Sequence, residues 1–259
     1  MANILLSGCN GKMGRMVTDL AAKDENTAVI AGVDAFGTSA AGYPVYPSFE
    51  ALAEAGGEKP DVIVDFSNAS ALEGLLAYAV REGVPCVLCT TGYSEAQLAA
   101  IKEASAKIPV LRSGNMSIGI NLLDDLLKEA AAKLTAAGFD VEIIEKHHNQ
   151  KVDAPSGTAL LLADTIRAAA GGDYGYVYDR TTRREKRPKK EIGISAVRGG
   201  TIVGDHDVIF AGEDEVITLS HTAYSRKVFA KGALSAAAFL AGKPAGYYTM
   251  MDVIGDELA

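Results

Sequence analysis

The sequence predicts an α/β protein in which a domain with a doubly wound parallel sheet is joined to a second, α+β domain with a mixed sheet. Two observations indicate the first domain. Over residues 3–117, apolar runs typical of buried strands alternate with helical patterns, and a glycine-rich turn follows the first run. Beyond residue 190, short strand-like runs separated by glycine-containing turns are typical of hairpins and indicate the second domain.

The first apolar run, residues 3–7, leads into a turn that can bind a dinucleotide. Its candidate cofactor-binding residues are Gly8, Cys9, Asn10, Gly11, Lys12 and Met13. Glycines allow the backbone to approach a pyrophosphate, and the free amides at the start of the following helix favour negative charge. The spacing is G-x-x-G-x-x-G, because Asn10 replaces the second glycine of the common G-x-G-x-x-G pattern. A plain tight turn is therefore the alternative.

The second predicted strand, residues 28–33, ends in Asp34, twenty residues after Gly14. A carboxylate here can accept hydrogen bonds from the ribose hydroxyls of adenosine, and it repels a 2′-phosphate. Together with the glycine turn, this acidic residue predicts a Rossmann-type domain.

Further strands are predicted at 61–67, 84–89 and 110–111, with helices at 72–79 and 94–106 between them. Ligand-binding loops are expected at the carboxyl ends of these strands.

A different order of elements follows residue 117. The pattern predicts helices at 119–137, 158–170 and 229–240, and strands at 141–144, 192–197, 207–210 and 215–221. His206 and His221, which belong to this part of the chain, are interpreted as structural histidines. For Arg198, bridging a turn is one alternative.

The most informative polar stretch is residues 145–159, with the sequence E-K-H-H-N-Q-K-V-D-A-P-S-G-T-A. It follows an apolar run, so we expect a buried strand that opens onto a site. Ser156 or Thr158 is placed to cap the next helix, whose unpaired amides can hold an anion. Two histidines, a flexible lysine and these amides suit a compact dianion. A surface histidine pair and an ordinary helix cap are the alternative.

Composition restricts the class of partner. The formal net charge of −8 argues against nucleic acid and anionic membranes. No apolar run reaches transmembrane length and no signal region is recognised, so we expect a cytoplasmic protein. Cys86 and Cys89 lie three apart on a predicted strand and point to opposite faces; no metal site is expected.

Residues 180–190 contain seven basic residues in eleven. A solvated loop is the favoured interpretation, because runs of like charge are usually mobile. A local funnel for an anionic substrate is the alternative.

The stretch 145–159 resembles the signature E-x-H-H-x-x-K-x-D-A-P-S-G-T-A of the bacterial dihydrodipicolinate reductase (4-hydroxy-tetrahydrodipicolinate reductase) family, and it matches every fixed position. Other segments resemble the family's motifs: D-F-S at 65–67, T-T-G at 90–92, N-M-S at 115–117, R-G-G-T-I-V-G-D-H at 198–206 and S-R-K-V-F-A at 225–230. The resemblance covers essentially the whole chain. It implies NAD(P)H-dependent reduction of 4-hydroxy-tetrahydrodipicolinate, via its dehydrated imine, to tetrahydrodipicolinate in the diaminopimelate pathway of lysine biosynthesis.

The resemblance also implies roles for individual residues. His147 corresponds to the acid/base and Lys151 to a proton donor. The implied substrate-binding residues are His148, Lys151, Ser156, Gly157, Thr158 and Arg226. On the nicotinamide side, the implied cofactor-binding residues are Phe66, Cys89, Thr90, Thr91, Gly114, Asn115, Met116 and Ser117. In the family an arginine commonly follows the acidic residue, whereas Ala35 follows Asp34 here, so we expect NADH to be preferred over NADPH.

The family's architecture implies a dinucleotide-binding domain at 1–118 and 227–259, and a substrate-binding and oligomerisation domain at 119–226. The family is usually tetrameric, so a homotetramer is expected. Two other functions are considered. A dehydrogenase of aspartate-dehydrogenase type would share residues 1–117 but has no reason to carry K-x-D-A-P-S-G-T. A non-catalytic NADH-sensing protein would tolerate loss of the acid/base pair, yet His147 and Lys151 are both present.

Overall fold

A computed structural model describes residues 1–37 and 42–257 of the protein. The chain divides into two compact units. Residues 1–118 and the segment from Lys227 onward form the first unit, and Gly119–Arg226 forms the second. A parallel sheet lies in the first unit and a mixed sheet in the second, which confirms the predicted fold class.

The elements follow one another as the sequence predicts, with several short additions. The strands are β1 (Ala2–Ser7), β2 (Thr27–Val33), β3 (Val45–Tyr46), β4 (Val62–Asp65), β5 (Cys86–Leu88), β6 (Pro109–Arg112), β7 (Asp140–His147), β8 (Gly175–Val177), β9 (Glu191–Arg198), β10 (Gly204–Ala211), β11 (Val216–Ala223) and β12 (Gly246–Tyr248). The helices are α1 (Lys12–Ala21), α2 (Phe49–Ala55), α3 (Leu72–Glu82), α4 (Glu95–Ser105), α5 (Ile118–Ala136), α6 (Gly157–Ala169), α7 (Lys227–Leu240) and α8 (Met250–Glu257). The pattern did not predict β3, α2, β8, β12 and α8.

The sheet of the first unit has seven parallel strands in the order β12-β6-β5-β4-β1-β2-β3. The order reverses at β1, so a crevice forms at the carboxyl ends of β1 and β4, where ligands bind in doubly wound sheets. Successive residues of the central strands are buried on opposite faces. Ile4 and Leu6 pack with α1 and α7, whereas Leu5 packs with the helices of the other face. Each such side chain contributes about 1.5–3 kcal/mol through burial.

Helix α7 returns the chain to this sheet and is rich in small residues. A Cβ atom at Gly232 would lie 1.8 Å from the carbonyl oxygen of Met116. The helix therefore packs directly on the backbone of the loop that contains Met116, and glycine is required at that point.

The second unit has a five-stranded mixed sheet in the order β11-β10-β7-β9-β8. β10 pairs with β7 and β11 antiparallel, while β9 is parallel to β7 and β8. Helices α5 and α6 cover one face, where Val141, Ile143, Val208 and Phe210 form a core with them. Because side chains alternate along a strand, the next positions on that face of β7 are Glu145 and His147.

The interpretation of residues 180–190 as a solvated loop is wrong for three of its arginines. Arg180 pairs with Glu142 and Glu191 at 2.7 and 2.6 Å, and Arg183 pairs with Glu191 at 2.8 Å. The guanidinium of Arg187, the third of them, donates to Asp140, to Glu142 and to three backbone carbonyl groups. Acidic residues on β7 and β9 hold these side chains against the sheet. The remaining basic residues of the segment are exposed.

Within the two described ranges, no helix combines the length and the apolar character that crossing a membrane requires.

Candidate active site

The glycine turn after β1 is shaped by close backbone packing. Gly8 adopts φ +74°, and a Cβ atom there would lie 2.8 Å from the backbone of Phe66. A Cβ at Gly14 would lie 2.3 Å from the carbonyl oxygen of Gly8. Gly11 caps α1 with an ordinary φ of −70° and no side-chain hydrogen bond, which leaves the helix start open. Gly8 and Gly14 are thus required by the turn itself, and Gly11 leaves the amides of α1 accessible.

Asp34 lies directly against this turn. Its carboxylate accepts hydrogen bonds from the backbone N–H groups of Asn10, at 2.9 Å, and Phe36, at 3.0 Å. The structure therefore brings the two predicted halves of the nucleotide site together. The cleft beside them has a volume of about 1830 Å³ and is lined by Gly8, Asn10, Gly11, Lys12, Asp34 and Phe66 from the predicted set, and by Arg15, Ser67 and Lys227, which were not predicted.

Several predicted cofactor contacts have side chains that point into the first unit. Cys9 and Met116 are 1 and 2 % exposed within an apolar core that also includes Cys89. Burial, which the charge of Asp34 reinforces, raises the pKa of Cys9 to about 11, so its thiol is neutral. Only the backbone of these three residues can face a ligand. In contrast, Thr91 and Gly114 are exposed.

Asp65, at the end of β4, is a buried carboxylate to which the motifs assigned no role. It accepts hydrogen bonds from the N–H and the hydroxyl of Ser67 at 3.1 and 2.5 Å, and from Thr90 Oγ1 at 2.8 Å. The hydroxyl of Tyr93 lies 3.4 Å away; burial and the Asp65 charge raise the pKa of Tyr93, so it stays protonated and donates. Asp65 therefore ties the D-F-S turn to the T-T-G loop.

In the second unit, Glu145 on β7 holds the polar stretch together. Its carboxylate is fully buried and accepts hydrogen bonds from Arg198, His147 and the N–H of Ser156. Burial opposes ionisation, but these donors outweigh it and keep the pKa of Glu145 below its usual value. The sequence pattern assigned no role to Glu145, although it is the first residue of the signature. Arg198 does not bridge a turn but forms a bidentate pair with this carboxylate.

The ring of His147 is oriented by that carboxylate. Its Nδ1 atom lies 2.6 Å from Oε2 of Glu145, and the side chain is buried. Burial lowers the pKa of His147; Glu145 opposes the shift, and the charges of Lys151 and Arg198 add to it. The imidazole is therefore uncharged at neutral pH, with its proton on Nδ1 facing Glu145.

His206 on β10 packs its ring edge-on against His147, with centroids 5.2 Å apart. Burial is the main reason that its pKa falls to about 4, and the neighbouring His147 adds to the shift. Its Nε2 atom lies 3.1 Å from the hydroxyl of Ser156, while its Nδ1 atom has no hydrogen-bond partner among the described residues. His206 is thus buried like a structural histidine, with one of its two ring nitrogens hydrogen-bonded.

Ser156 is the N-cap of α6, and its side chain is not available to bind a substrate. Its hydroxyl accepts from the N–H of Ala159 at 3.1 Å and contacts His206, while its own N–H donates to Glu145 at 2.9 Å. The residue is 2 % exposed. The prediction that Ser156 binds the substrate directly is thus corrected, because its polar atoms are committed to the fold. The next two residues at the start of the helix are less buried: Gly157 is exposed and Thr158 is partly exposed.

Two further pairs involve the predicted substrate-binding residues. Arg226 Nη2 lies 3.1 Å from Nε2 of His148, so the structure places these two together. Lys151 Nζ lies 2.8 Å from Oδ1 of Asp153. Across the described ranges, no group of three or more His, Cys, Asp or Glu side chains is arranged to hold a metal ion.

A doubly wound parallel sheet with a glycine turn, an acidic residue at the next strand end and a separate histidine-lysine cluster defines a dinucleotide-dependent oxidoreductase. Residues 2–116 match the family model described as Dihydrodipicolinate reductase, N-terminus, and residues 119–254 match Dihydrodipicolinate reductase, C-terminus. The chain belongs to the dihydrodipicolinate reductase family, a family of pyridine-nucleotide-dependent reductases. The resemblance drawn from the motifs is confirmed.

Similar proteins cover nearly the whole chain. The 4-hydroxy-tetrahydrodipicolinate reductase of Clostridium tetani is 52% identical over 250 residues, which is 96% of each chain. That of Caldanaerobacter subterraneus subsp. tengcongensis is 51% identical over 254 residues, 98% of each chain. Among solved structures, the dipicolinate-bound dihydrodipicolinate reductase of Paenisporosarcina sp. TG-14 superimposes with a TM-score of 0.77 at 27% identity, and the match covers 96% of this chain and 97% of that one.

Proposed function

We propose that the protein reduces 4-hydroxy-tetrahydrodipicolinate, via its dehydrated imine, to tetrahydrodipicolinate with NAD(P)H, in the diaminopimelate pathway of lysine biosynthesis. The observation that carries the proposal is the cluster at the end of β7, where a buried carboxylate orients His147 within the family signature. The dipicolinate bound to the Paenisporosarcina reductase is a ring with two carboxylates, which supports a substrate of that class. In this proposal the first unit is the dinucleotide-binding domain, and the second is the substrate-binding and oligomerisation domain.

The residues of the first unit suit a pyridine dinucleotide. The turn at residues 8–13 and the start of α1 would hold the pyrophosphate, and Asp34 would accept from the adenosine ribose. On the nicotinamide side, Phe66 and the loops at 89–91 and 114–117 would act largely through backbone groups. A bound reduced nicotinamide would supply the hydride. Since Ala35 follows Asp34, NADH is the preferred form and NADPH the weaker one.

The residues of the second unit suit a dianionic ring. His148, Lys151, Gly157, Thr158 and Arg226 contact the carboxylates, and Ser156 contributes by fixing the start of α6. His147 is the acid/base, because its uncharged Nε2 atom can exchange a proton with the substrate. Lys151 is a cation that can donate a proton to the nitrogen on which negative charge develops during reduction.

The direct test is the loss of NADH absorbance when the freshly made product of dihydrodipicolinate synthase is supplied. Oxaloacetate with ammonia serves as the comparison substrate and reports an activity of aspartate-dehydrogenase type. We expect oxidation only with the first substrate. NADH binding without oxidation of NADH by either substrate would indicate a sensing protein and contradict the proposal.

Two substitutions test the assigned roles. His147→Gln and Lys151→Ala should each lower turnover by roughly 100-fold or more, as loss of a general acid/base group typically does. Lys146→Ala is the matched control, because Lys146 is a cation on the same strand that pairs with Asp207 at 2.9 Å on the opposite face. Near wild-type turnover in both test variants would overturn the assignment.

A homotetramer assembled through the mixed sheet is also proposed. The face of that sheet opposite α5 and α6 carries exposed apolar residues, including Val197 at 46% and Val216 at 62% exposure. Light scattering during gel filtration measures the mass, and a monomer at micromolar concentration would contradict this assembly.

The cytoplasm is the proposed compartment. The three cysteines are unpaired, as is usual in a reducing environment.

A further inference from the structure

We propose that Glu145 and Arg198 are positioning residues that together fix the tautomer and set the proton affinity of His147. This inference rests on the proposed function, in which His147 is the acid/base. It goes further by assigning that control to two residues outside the proposed substrate-binding set.

The contacts of the Glu145 carboxylate leave it no freedom to rotate. Oε1 accepts from Nη2 of Arg198 at 2.7 Å and from the N–H of Ser156 at 2.9 Å. Oε2 accepts from Nη1 of Arg198 at 2.7 Å and lies 2.6 Å from Nδ1 of His147. The planar fork of an arginine matches a carboxylate in this way, and a lysine cannot. Both oxygens are therefore held, and one of them is aimed at the imidazole.

The sheet supplies this arrangement. Arg198 is the register partner of His147 across β7 and β9, and Glu145 lies two residues before His147 on the same face. His206 is the register partner of Glu145 across β7 and β10. The pairing of the three strands thus places Arg198, Glu145 and His206 around His147. All three residues lie on strands and none lies in a loop.

The consequence for the ring is a defined reactive nitrogen. With its Nδ1 proton donated to Glu145, His147 presents Nε2 as the atom that can take up or release a proton. A Cβ atom at Gly204 would lie 3.0 Å from this Nε2 atom. Glycine at that position therefore leaves the ring in place and avoids a side chain over the reactive nitrogen.

Within the part of the chain that the structure describes, four charged or titratable groups face His147: Glu145 on β7, Arg198 on β9, His206 on β10 and Lys151 in the loop after β7. Glu145 favours the imidazolium, whereas the two cations disfavour it. Arg198 compensates most of the charge of Glu145 because it pairs with both of its oxygens. The pair thus orients the ring strongly while adding little net charge.

A purely structural ion pair is the competing explanation. Buried pairs often contribute little net stability, and removal of one partner is costly because the other charge stays buried. In that case the variants would unfold more easily, but the titration of His147 would stay where it is. The two explanations therefore differ in the pKa that they predict for His147 in the variants, which stability measurements do not report.

The experiment follows the imidazole Cε1–H resonance of His147 by NMR as a function of pH, in the full chain without substrate. The chain has four histidines, and His147→Gln assigns the resonance. We expect Glu145→Gln to lower the pKa of His147, and Arg198→Met to raise it, each by about one pH unit. Arg198→Lys retains the charge and should give a smaller shift than Arg198→Met. Glu142→Gln is the control, since Glu142 lies on the other face of β7 and pairs with Arg180 and Arg187.

Shifts of opposite sign support the inference, while absent shifts or shifts of one sign overturn it. Circular dichroism establishes that each variant is folded. If Glu145→Gln does not fold, Arg198→Met decides alone: an upward shift supports the inference, and any other result overturns it. The acid limb of the turnover profile should move with the titration, and NADH affinity should not change. Failure of the proposed function would appear differently, as a wild-type chain without activity on the imine substrate.

Discussion

Lys151 Nζ lies 2.8 Å from Oδ1 of Asp153, so the chain places one of its own carboxylates on the cation that is proposed to bind the substrate. Asp153 also accepts a hydrogen bond from the N–H of Gly157 at the start of α6. Burial opposes its ionisation, but Lys151 and this amide keep the pKa of Asp153 below its usual value. A carboxylate of a dianionic ligand would use the same lysine and the same helix start. Asp153 is thus positioned as an internal competitor.

Removal of that competitor should strengthen the binding of a dicarboxylate. For Asp153→Asn we expect the Kd for pyridine-2,6-dicarboxylate to fall roughly 1.5- to fivefold, because a partly exposed ion pair of this kind contributes about 0.2–1 kcal/mol. Calorimetric titration of the wild type and the variant in the presence of NADH measures the change. Asp164→Asn is a matched control: Asp164 is 57% exposed, against 58% for Asp153, and it pairs with Arg167. Weaker binding by Asp153→Asn would show that Asp153 supports the site.

The second prediction concerns the choice of cofactor. Ala35 is exposed and directly follows Asp34, whose carboxylate is held by the N–H groups of Asn10 and Phe36. Ala35→Arg should raise the ratio of kcat/KM for NADPH to that for NADH by roughly tenfold, because a guanidinium can pair with the 2′-phosphate. Ala35→Gln controls for the size of the side chain. An unchanged ratio in Ala35→Arg, or a wild type that uses NADPH more efficiently, would contradict the expected preference.

How far the sequence reveals this fold depends on the length and position of each element. Central strands such as β1 and β4 are buried on both faces, so they read as continuous apolar runs and were predicted. β3 and β12 are the edge strands of the same sheet and have only two and three residues. Runs this short carry no periodicity, and they pair only because the rest of the sheet offers an edge.

In the candidate site, the residues that lie close together in the sequence were predicted, whereas the contacts between residues far apart in the sequence were not. His147, Lys151 and the start of α6 lie within one short string, and the signature located them. The partner of Glu145 is Arg198, 53 residues later, and this pair exists only through the register of β7 with β9. Likewise, the run of basic residues at 180–190 does not indicate which acidic residues will pair with it. Ion pairs between residues far apart in the sequence therefore could not be predicted from the sequence pattern.

The third prediction separates two glycines of the nucleotide turn. Gly14→Ala places a Cβ atom 2.3 Å from the carbonyl oxygen of Gly8, so it should destabilise the fold by about 1–3 kcal/mol and lower the Tm by several degrees. In Gly11→Ala the Cβ meets only that same oxygen, at 3.2 Å, and the Tm should change little. NADH affinity of Gly11→Ala should nevertheless fall roughly tenfold, because the methyl group crowds the pyrophosphate. Thermal melts and fluorescence titration distinguish these effects, and equal losses of stability would refute the distinction.

The fourth prediction is a loss of stability in acid that depends on His206. This imidazole is 4% exposed, and burial, with the nearby His147 adding to it, lowers its pKa to about 4. In the unfolded chain it protonates near pH 6.5, so below that pH the unfolded state binds more protons than the folded state. The contribution of His206 to the free energy of unfolding is therefore fully present above about pH 6.5. It is lost as the pH falls towards 4, and the total loss is about 3 kcal/mol.

His206→Gln retains a donor that can reach the hydroxyl of Ser156 but cannot titrate. Denaturant unfolding of both proteins at about pH 7.5 and about pH 5 compares the two losses of stability. We expect the wild type to lose about 2 kcal/mol more than the variant over this interval, since the interval spans about 1.5 of the pH units below 6.5. The value at the higher pH serves as the internal reference, because His206 is neutral in both states there. Parallel losses in the two proteins would mean that the buried imidazole takes up a proton without cost to the fold, and the assignment of this acid sensitivity to His206 would fail.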